Sequence, residues 1–265
     1  VAEYKIAAFI NTHPDSPIIN EAYLALADYF YQNKNYRKAL SYYDQVNRQE
    51  LKAEQLPEYF FRVGYSSFVQ GDKSRALLMF SEIKDIDTEY TPPALYYFSH
   101  IAYEKEMYQT AMDGFKRLQK DETFGAVVPF YIVQILYLQK DYDQILTIAP
   151  ELLKSAGNER AVELYRFIGD AYYNKGNYSE ALPYLEKFAT ETKISAREDK
   201  YQLGYCYYKT GDYDKAIKLF QEIGAKNDLL SQNIWFLLGD SYMQKGDKKR
   251  AQFGFAEASK TAFDK

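Results

Sequence analysis

Seven segments of this chain are laid out on one ruler. A residue late in each copy, Ala39, Ala76, Ala111, Ile145, Ala181, Ala216 and Ala251, recurs at steps of 37, 35, 34, 36, 35 and 35 residues. Self-similarity at a period in the mid-thirties marks stacked helix–turn–helix units, none of which can bury its apolar face alone. Inside a unit the apolar positions fall at helical spacing, as in Leu203 and Tyr207, then Ala216, Phe220 and Ile223. The two runs are separated by Thr-Gly-Asp, Lys-Gly-Asn or Gln-Gly-Asp, which are turn residues. The chain is therefore predicted to be all-α, a stack of antiparallel helix pairs.

The glycine one heptad before each turn needs its own explanation. In LGYCYYKTGDYDKAIKLFQEI (203–223), Gly204 lies inside the first helix, where glycine costs about 1 kcal/mol relative to alanine. It is placed where the first helix of a unit crosses the second, with Ala216 as its counterpart. The equivalents Ala27, Gly64, Ser99, Val133, Gly169 and Gly239 leave the position small in six of seven copies. The exception pairs Val133 with Ile145 and carries Pro150 in its second helix, where proline removes a hydrogen bond. An irregular joint is expected over 124–157, and a milder distortion at Pro183.

The pattern resembles the tetratricopeptide repeat, whose signature is a bulky residue, then Leu-Gly, Tyr, Ala, Phe and Ala at fixed offsets. The Leu-Gly pair appears as Val63-Gly64, Ile168-Gly169, Leu203-Gly204 and Leu238-Gly239. The Tyr three residues on is Tyr172, Tyr207 and Tyr242, and the bulky opener is Tyr23, Phe60, Tyr165 and Trp235. The proline that often closes such a repeat is missing. The resemblance implies a right-handed superhelical solenoid, with repeats at about 20–54, 57–91, 92–124, 126–157, 160–194, 196–227 and 231–263. Residues 1–12 look like the second helix of a preceding repeat, and the closing AEASKTAFDK stops where another repeat would begin. The opening VAEYKIAAF, which lacks an initiator Met, reads as part of something longer. The Pro-Asp-Ser-Pro turn at 14–17 and the Asn-Tyr-x-x-Ala step at 35–39 resemble envelope-associated bacterial repeat proteins. These include outer-membrane assembly lipoproteins and Tol–Pal-associated repeats, so a periplasmic or envelope setting is favoured over a cytoplasmic one.

In a helical solenoid the first helices line one face. Counting from the small crossing residue, positions −6, −3, +1 and +4 form a stripe along it. The stripe gives Phe61, Tyr65, Tyr96, His100, Arg166, Asp170, Tyr201, Tyr205, Tyr208, Phe236 and Asp240 as candidate partner-binding residues. This is a groove of rings edged with carboxylates, suited to an apolar or basic polypeptide. A family subclass grips C-terminal carboxylates with Lys, Asn and Arg at groove positions that here hold Leu24, Asp28, Phe61, Arg62 and Tyr65. That clamp is not reproduced.

Other chemistry is sought without result. Net charge is −4 with no basic stripe, so nucleic acid is not an expected partner. No apolar run reaches the 18 residues or more of a membrane span. His13 and His100 lie far apart, and the lone Cys206 occupies a small packing position. No phosphate-cradling, zinc-binding or nucleophile motif is present, so neither cofactor nor metal is expected. The aromatic share of 17%, with 28 Tyr, suits half-buried surfaces and partner contacts. The leading reading is a non-catalytic protein-interaction scaffold. Its alternatives are a self-association module of a larger envelope protein and the non-catalytic part of a larger enzyme.

Overall fold

The computed structural model describes residues 2–193, 196–223, 226 and 228–260. The chain divides into two compact units, Val1–Ile135 and Leu136–Lys265. In the first, α1 (Ala2–Thr12) packs on α2 (Ile19–Gln32), and α2 pairs with α3 (Tyr36–Tyr43). Two more pairs follow, α4 (Leu56–Val69) with α5 (Lys73–Ser81) and α6 (Thr91–Glu104) with α7 (Tyr108–Arg117). The division between the units falls inside α8 (Val128–Leu138).

The second unit continues with α9 (Tyr142–Leu153) and the pair α10 (Asn158–Asn174) and α11 (Tyr178–Thr192). It ends with α12 (Arg197–Thr210) on α13 (Tyr213–Ile223), and α14 (Leu229–Gln244) on α15 (Lys248–Lys260). Every element longer than one turn is an α-helix among the described residues. Helices α9 and α11 each continue through their internal proline, Pro150 and Pro183. The closing residues 261–265, at which a further repeat was expected to begin, lie outside the described part.

The turns within pairs share a left-handed residue. In four of them it is a glycine: Gly71, Gly176, Gly211 and Gly246 have φ of 85°, 78°, 85° and 79°. Glycine adopts that conformation without steric cost and commonly ends helices there. At three of these the next residue also caps the second helix. Asp72, Asp212 and Asp247 accept the backbone N–H three residues on, at 2.9, 3.2 and 3.0 Å. Lys34, Glu106 and Lys140 hold the same left-handed position in other pairs.

The crossing glycines make room for a ring. A Cβ on Gly204 would lie 2.8 Å from the Phe220 ring, and one on Gly64 would lie 2.7 Å from Phe80. Gly239 faces Phe255 at 2.8 Å, and Gly169 faces Leu185 at 2.6 Å. The residue opposite Gly204 is thus Phe220, not Ala216: it stands one helical turn further along the same face of α13. Ala216 is completely buried, but the space that the glycine leaves is taken by the larger neighbour. Phe80 and Phe220 are consequently almost fully enclosed, a burial that stabilises by about 1.5–3 kcal/mol each. That exceeds the glycine's cost in its helix.

Gly204→Ala is expected to destabilise the second unit by about 1–3 kcal/mol, because the Phe220 ring must leave its rotamer. Adding Phe220→Ala removes the ring that the new methyl group meets, so the double variant should lose less than the sum of the two single losses. Chemical denaturation of the two single variants and the double variant checks it. Strictly additive shifts would show that the two residues do not share the space.

Candidate functional site

The stripe on the first helices is where one pair meets the next. In the first unit Tyr65 is enclosed by rings. It packs edge-on against Tyr31, Tyr36 and Tyr97 at centroid distances of 6.2, 5.5 and 5.2 Å, and stacks on Phe61 at 6.1 Å. Burial pushes the Tyr31 and Tyr97 hydroxyls up to about 12. Arg62 spans the α2–α4 junction, bonding Asp28 at 2.7 Å and pairing with Glu58. The Tyr43 hydroxyl donates to the same Asp28 oxygen at 2.5 Å.

Tyr96 stacks on Phe124 at 4.5 Å. His100 sits among Phe68, Tyr96 and Tyr131. Among the described residues its Nδ1 is buried without a partner, and its Nε2 is 3.9 Å from Glu104. Burial lowers its pKa below the ordinary imidazole value, against the opposing pull of Glu104. The ring is therefore a neutral, packed contact.

In the second unit a carboxylate anchors the corresponding junction. Asp170 accepts the Tyr137 hydroxyl on Oδ2 at 2.5 Å and the Gln202 amide on Oδ1 at 2.6 Å. Arg166 Nε lies 3.7 Å away. Asp170 is only 7% exposed, and burial raises its pKa against the lowering effect of these partners. Tyr205 packs on Tyr173, Tyr178 and Tyr201 at 5.9, 5.4 and 5.9 Å. Tyr208 donates to Asp240 Oδ2 at 2.7 Å. Between these groups a depression of about 290 Å³ is lined by Asp170, Tyr173, Asn174, Glu198, Tyr201, Gln202 and Leu230.

The candidate residues therefore separate into two kinds. Tyr65, Tyr96, His100, Asp170, Tyr205, Tyr208 and Asp240 are joined to a neighbouring pair by ring or hydrogen-bond contacts. Asp170 in particular is too deeply buried to act as an exposed carboxylate edge, because Tyr137 and Gln202 close over it. Arg166 and Phe236 remain exposed, while Phe61 and Tyr201 are half-buried. The sequence stripe passes over two further groups. Tyr36 and Tyr178 open second helices yet reach Tyr65 and Tyr205, and the recurrent Asn-Tyr after the turn is the signal for them. Arg62 and Gln202 share position −2, outside the stripe, and both reach an Asp of the preceding pair.

Comparison with known proteins agrees with this fold. A family profile described as "Anaphase-promoting complex, cyclosome, subunit 3" matches residues 139–223 and 174–258. A solved tetratricopeptide repeat protein from Parabacteroides merdae superposes with a TM-score of 0.52 at 15% identity, covering 93% of this chain and 94% of that one. The C-terminal part of a TPR repeat-containing protein from Cytophaga hutchinsonii gives 0.56 at 14% identity, covering 91% and 96%. The chain has the tetratricopeptide-repeat fold. MamA (41-end) from Desulfovibrio magneticus matches 64% of this TPR chain and 94% of its own, with a TM-score of 0.50 and 19% identity. No curated protein sequence gives a significant match.

Among the described residues of this TPR-fold chain, no cluster of His, Cys, Asp and Glu is arranged to hold a metal. No described helix is long and apolar enough to cross a membrane. Burial pushes the Cys206 thiol up to about 12, which leaves it a packing residue without thiolate character.

Asp170 provides a pH test. Its raised pKa means the folded state holds the proton more tightly than the unfolded chain does. Its contribution to stability is therefore largest at low pH and declines as pH rises from the ordinary carboxylate range through the raised value. Subtracting the stability–pH curve of Asp170→Asn from that of the unaltered chain should isolate this negative slope. Asp170→Ala should cost about 1–3 kcal/mol, because it leaves the Tyr137 hydroxyl and Gln202 amide unpaired. A flat difference curve would remove Asp170 from this role.

Proposed function

We propose that this TPR chain is a non-catalytic scaffold that holds a polypeptide along the ring-lined face of its first helices. The depression between α10 and α12 carries the proposal. Tyr173 and Tyr201 line it, Leu230 adds an apolar surface, and the exposed Glu198 stands at its edge. An aromatic wall beside a carboxylate favours a side chain with an apolar stem and a cationic head, through ring-face attraction worth about 0.5–2 kcal/mol. Asp170 is already committed to Tyr137 and Gln202, so discrimination by charge falls to Glu198. Arg166 lies nearby but is shared between Asp170 and Asp199 at 3.7 and 3.9 Å, which moderates its repulsion of a basic ligand. An extended surface without a metal cluster or enclosed acid–base pair suits holding rather than turnover.

The test is a fluorescence-anisotropy panel of extended peptides that share apolar residues but carry either Lys and Arg or Glu at the charged positions. The basic series should bind at least about tenfold more tightly, a difference of about 1.4 kcal/mol. Tyr201→Ala should lower affinity for it by a similar factor, and Glu198→Lys should reverse the preference. Equal binding of both series, or indifference to Glu198→Lys, would overturn the reading.

A further inference from the structure

Each unit contains the same arrangement of rings, with one informative difference inside it. In the first unit the +4 ring, Tyr31, meets Tyr36 and Tyr65 edge-on at 5.7 and 6.2 Å, with an interplanar angle of 72° in both cases. In the second, Tyr173 meets Tyr178 and Tyr205 at 5.6 and 5.9 Å, with angles of 73° and 70°. The ring at −3 repeats too. Phe61 stacks on Tyr65 and tilts against Phe80, while Tyr201 stacks on Tyr205 and tilts against Phe220. Both arrangements have an Asp at +1 (Asp28 or Asp170) and a Glu at −6 of the next pair (Glu58 or Glu198).

The difference is at −2, which is Arg62 in the first unit and Gln202 in the second. Arg62 fills its arrangement. One guanidinium nitrogen bonds Asp28 at 2.7 Å, the other pairs with Glu58, and the group lies over the Tyr31 ring at 5.3 Å. Its side chain is only 15% exposed, so the rings and carboxylates enclose it. Gln202 is shorter and neutral, and gives its amide N–H to Asp170 at 2.6 Å. Glu198 consequently has no hydrogen bond or ion pair among the described residues, since the adjacent Arg197 is committed to Asp228 at 2.6 Å. Lys209 lies over Tyr178 and Tyr205, but no cation of a described residue lies over Tyr173. The depression of about 290 Å³ is bordered by Tyr173, Glu198 and Gln202, the equivalents of Tyr31, Glu58 and Arg62.

We infer that this depression is an arginine-selective site, in which a guanidinium of the bound polypeptide takes the place that Arg62 occupies in the first unit. The ligand's guanidinium stacks on Tyr173 and donates to Glu198. It donates also to the Gln202 amide oxygen, which remains an acceptor while the amide nitrogen is engaged with Asp170. A planar fork can satisfy two acceptors while lying on a ring, whereas the lysine ammonium is a compact, strongly hydrated point charge. Its bond to the Glu198 carboxylate is charge-assisted. The inference rests on the proposed holding of a basic segment at this depression, and narrows that preference from a positive charge to one side chain.

Three extended peptides of one apolar sequence, alike except for a single Arg, Lys or Glu, are titrated into the chain by fluorescence anisotropy. The Arg peptide should bind at least about fivefold more tightly than the Lys peptide. Gln202→Arg recreates in the second unit a side chain that the first already accommodates, so it tests the site without threatening the fold. It should weaken the Arg peptide at least about tenfold and bring the Arg-to-Lys ratio close to one, because the built-in guanidinium occupies the place. Tyr173→Leu should lower the same ratio, and if its far-UV circular dichroism shows a lost fold, Gln202→Arg decides alone. Equal affinity for the Arg and Lys peptides, with the Glu peptide weaker, would overturn the arginine assignment and leave the basic-segment reading standing. Equal affinity for all three would overturn both. An arginine preference unchanged by Gln202→Arg would place the guanidinium elsewhere and overturn the inference.

Discussion

In three helix pairs a ring on the second helix enters the space that a glycine leaves on the first. Phe220 against Gly204 and Phe80 against Gly64 are the clearest cases, with no room for even a methyl group between them. Interiors packed at this density transmit small changes rather than absorbing them. The axis of the first helix, and hence the direction of every side chain on its stripe, is thereby set by a contact on the adjoining face, where Phe61 and Tyr201 touch the same rings. Variation at the crossing fits the same account. In the α6–α7 pair the small residue is Ser99 and the glycine moves to the second helix, where a Cβ on Gly114 would fall 1.9 Å from the serine oxygen. The α14–α15 pair has glycine on both sides, and a Cβ on Gly254 would meet the Gly239 backbone at 2.7 Å.

From that fixed stripe the junctions between pairs follow. A tyrosine hydroxyl and a carboxylate, or two rings edge-on, meet at nearly the same relative positions, because both helices present them from the same offset. Half-buried rings packed on one another contribute about 0.5–1.5 kcal/mol per favourable pair beyond their buried area. This is where much of the unusual tyrosine content is used. Turn-to-turn ion pairs, Lys175 with Asp143 and Lys245 with Asp214, repeat at the periphery of the second unit. They are exposed, and pairs of that kind contribute at most about 1 kcal/mol each. The rings and buried hydroxyl–carboxylate bonds therefore carry more of the junction than the surface charges do.

Much of this was legible in the sequence, and the parts that were not share a physical cause. Period, turn chemistry and the crossing position depend on residues close together along the chain, and each leaves a local mark such as Gly211-Asp212 or the small residue at 204. The partner of Gly204 was not legible, because Ala216 and Phe220 lie one turn apart on the same face of α13. Spacing alone does not say whether a glycine admits a neighbouring backbone or a neighbouring ring. The fate of Asp170 was hidden for a different reason. A carboxylate at a stripe position looks exposed until Tyr137 and Gln202, 33 residues before it and 32 after it, are brought over it. Helical periodicity sorts residues by face, while burial on that face is decided by the adjoining pairs.

The same division limits how a partner can be recognised. A ring already packed on three others, such as Tyr205, has lost most of the free face that a ligand could use, and its removal would disturb the junction before it weakened binding. On the proposed reading, recognition rests on residues that the junctions leave over, Glu198 and Tyr201 at the depression. These differ in kind. Glu198 is a rim charge, so its influence on a basic ligand should fall as salt screens it over a Debye length of roughly 8–10 Å. Tyr201 is a half-buried ring, so its share of the contact should persist at higher salt. Both are placed by the same cause, a crossing contact that fixes the stripe and junctions that occupy most of it.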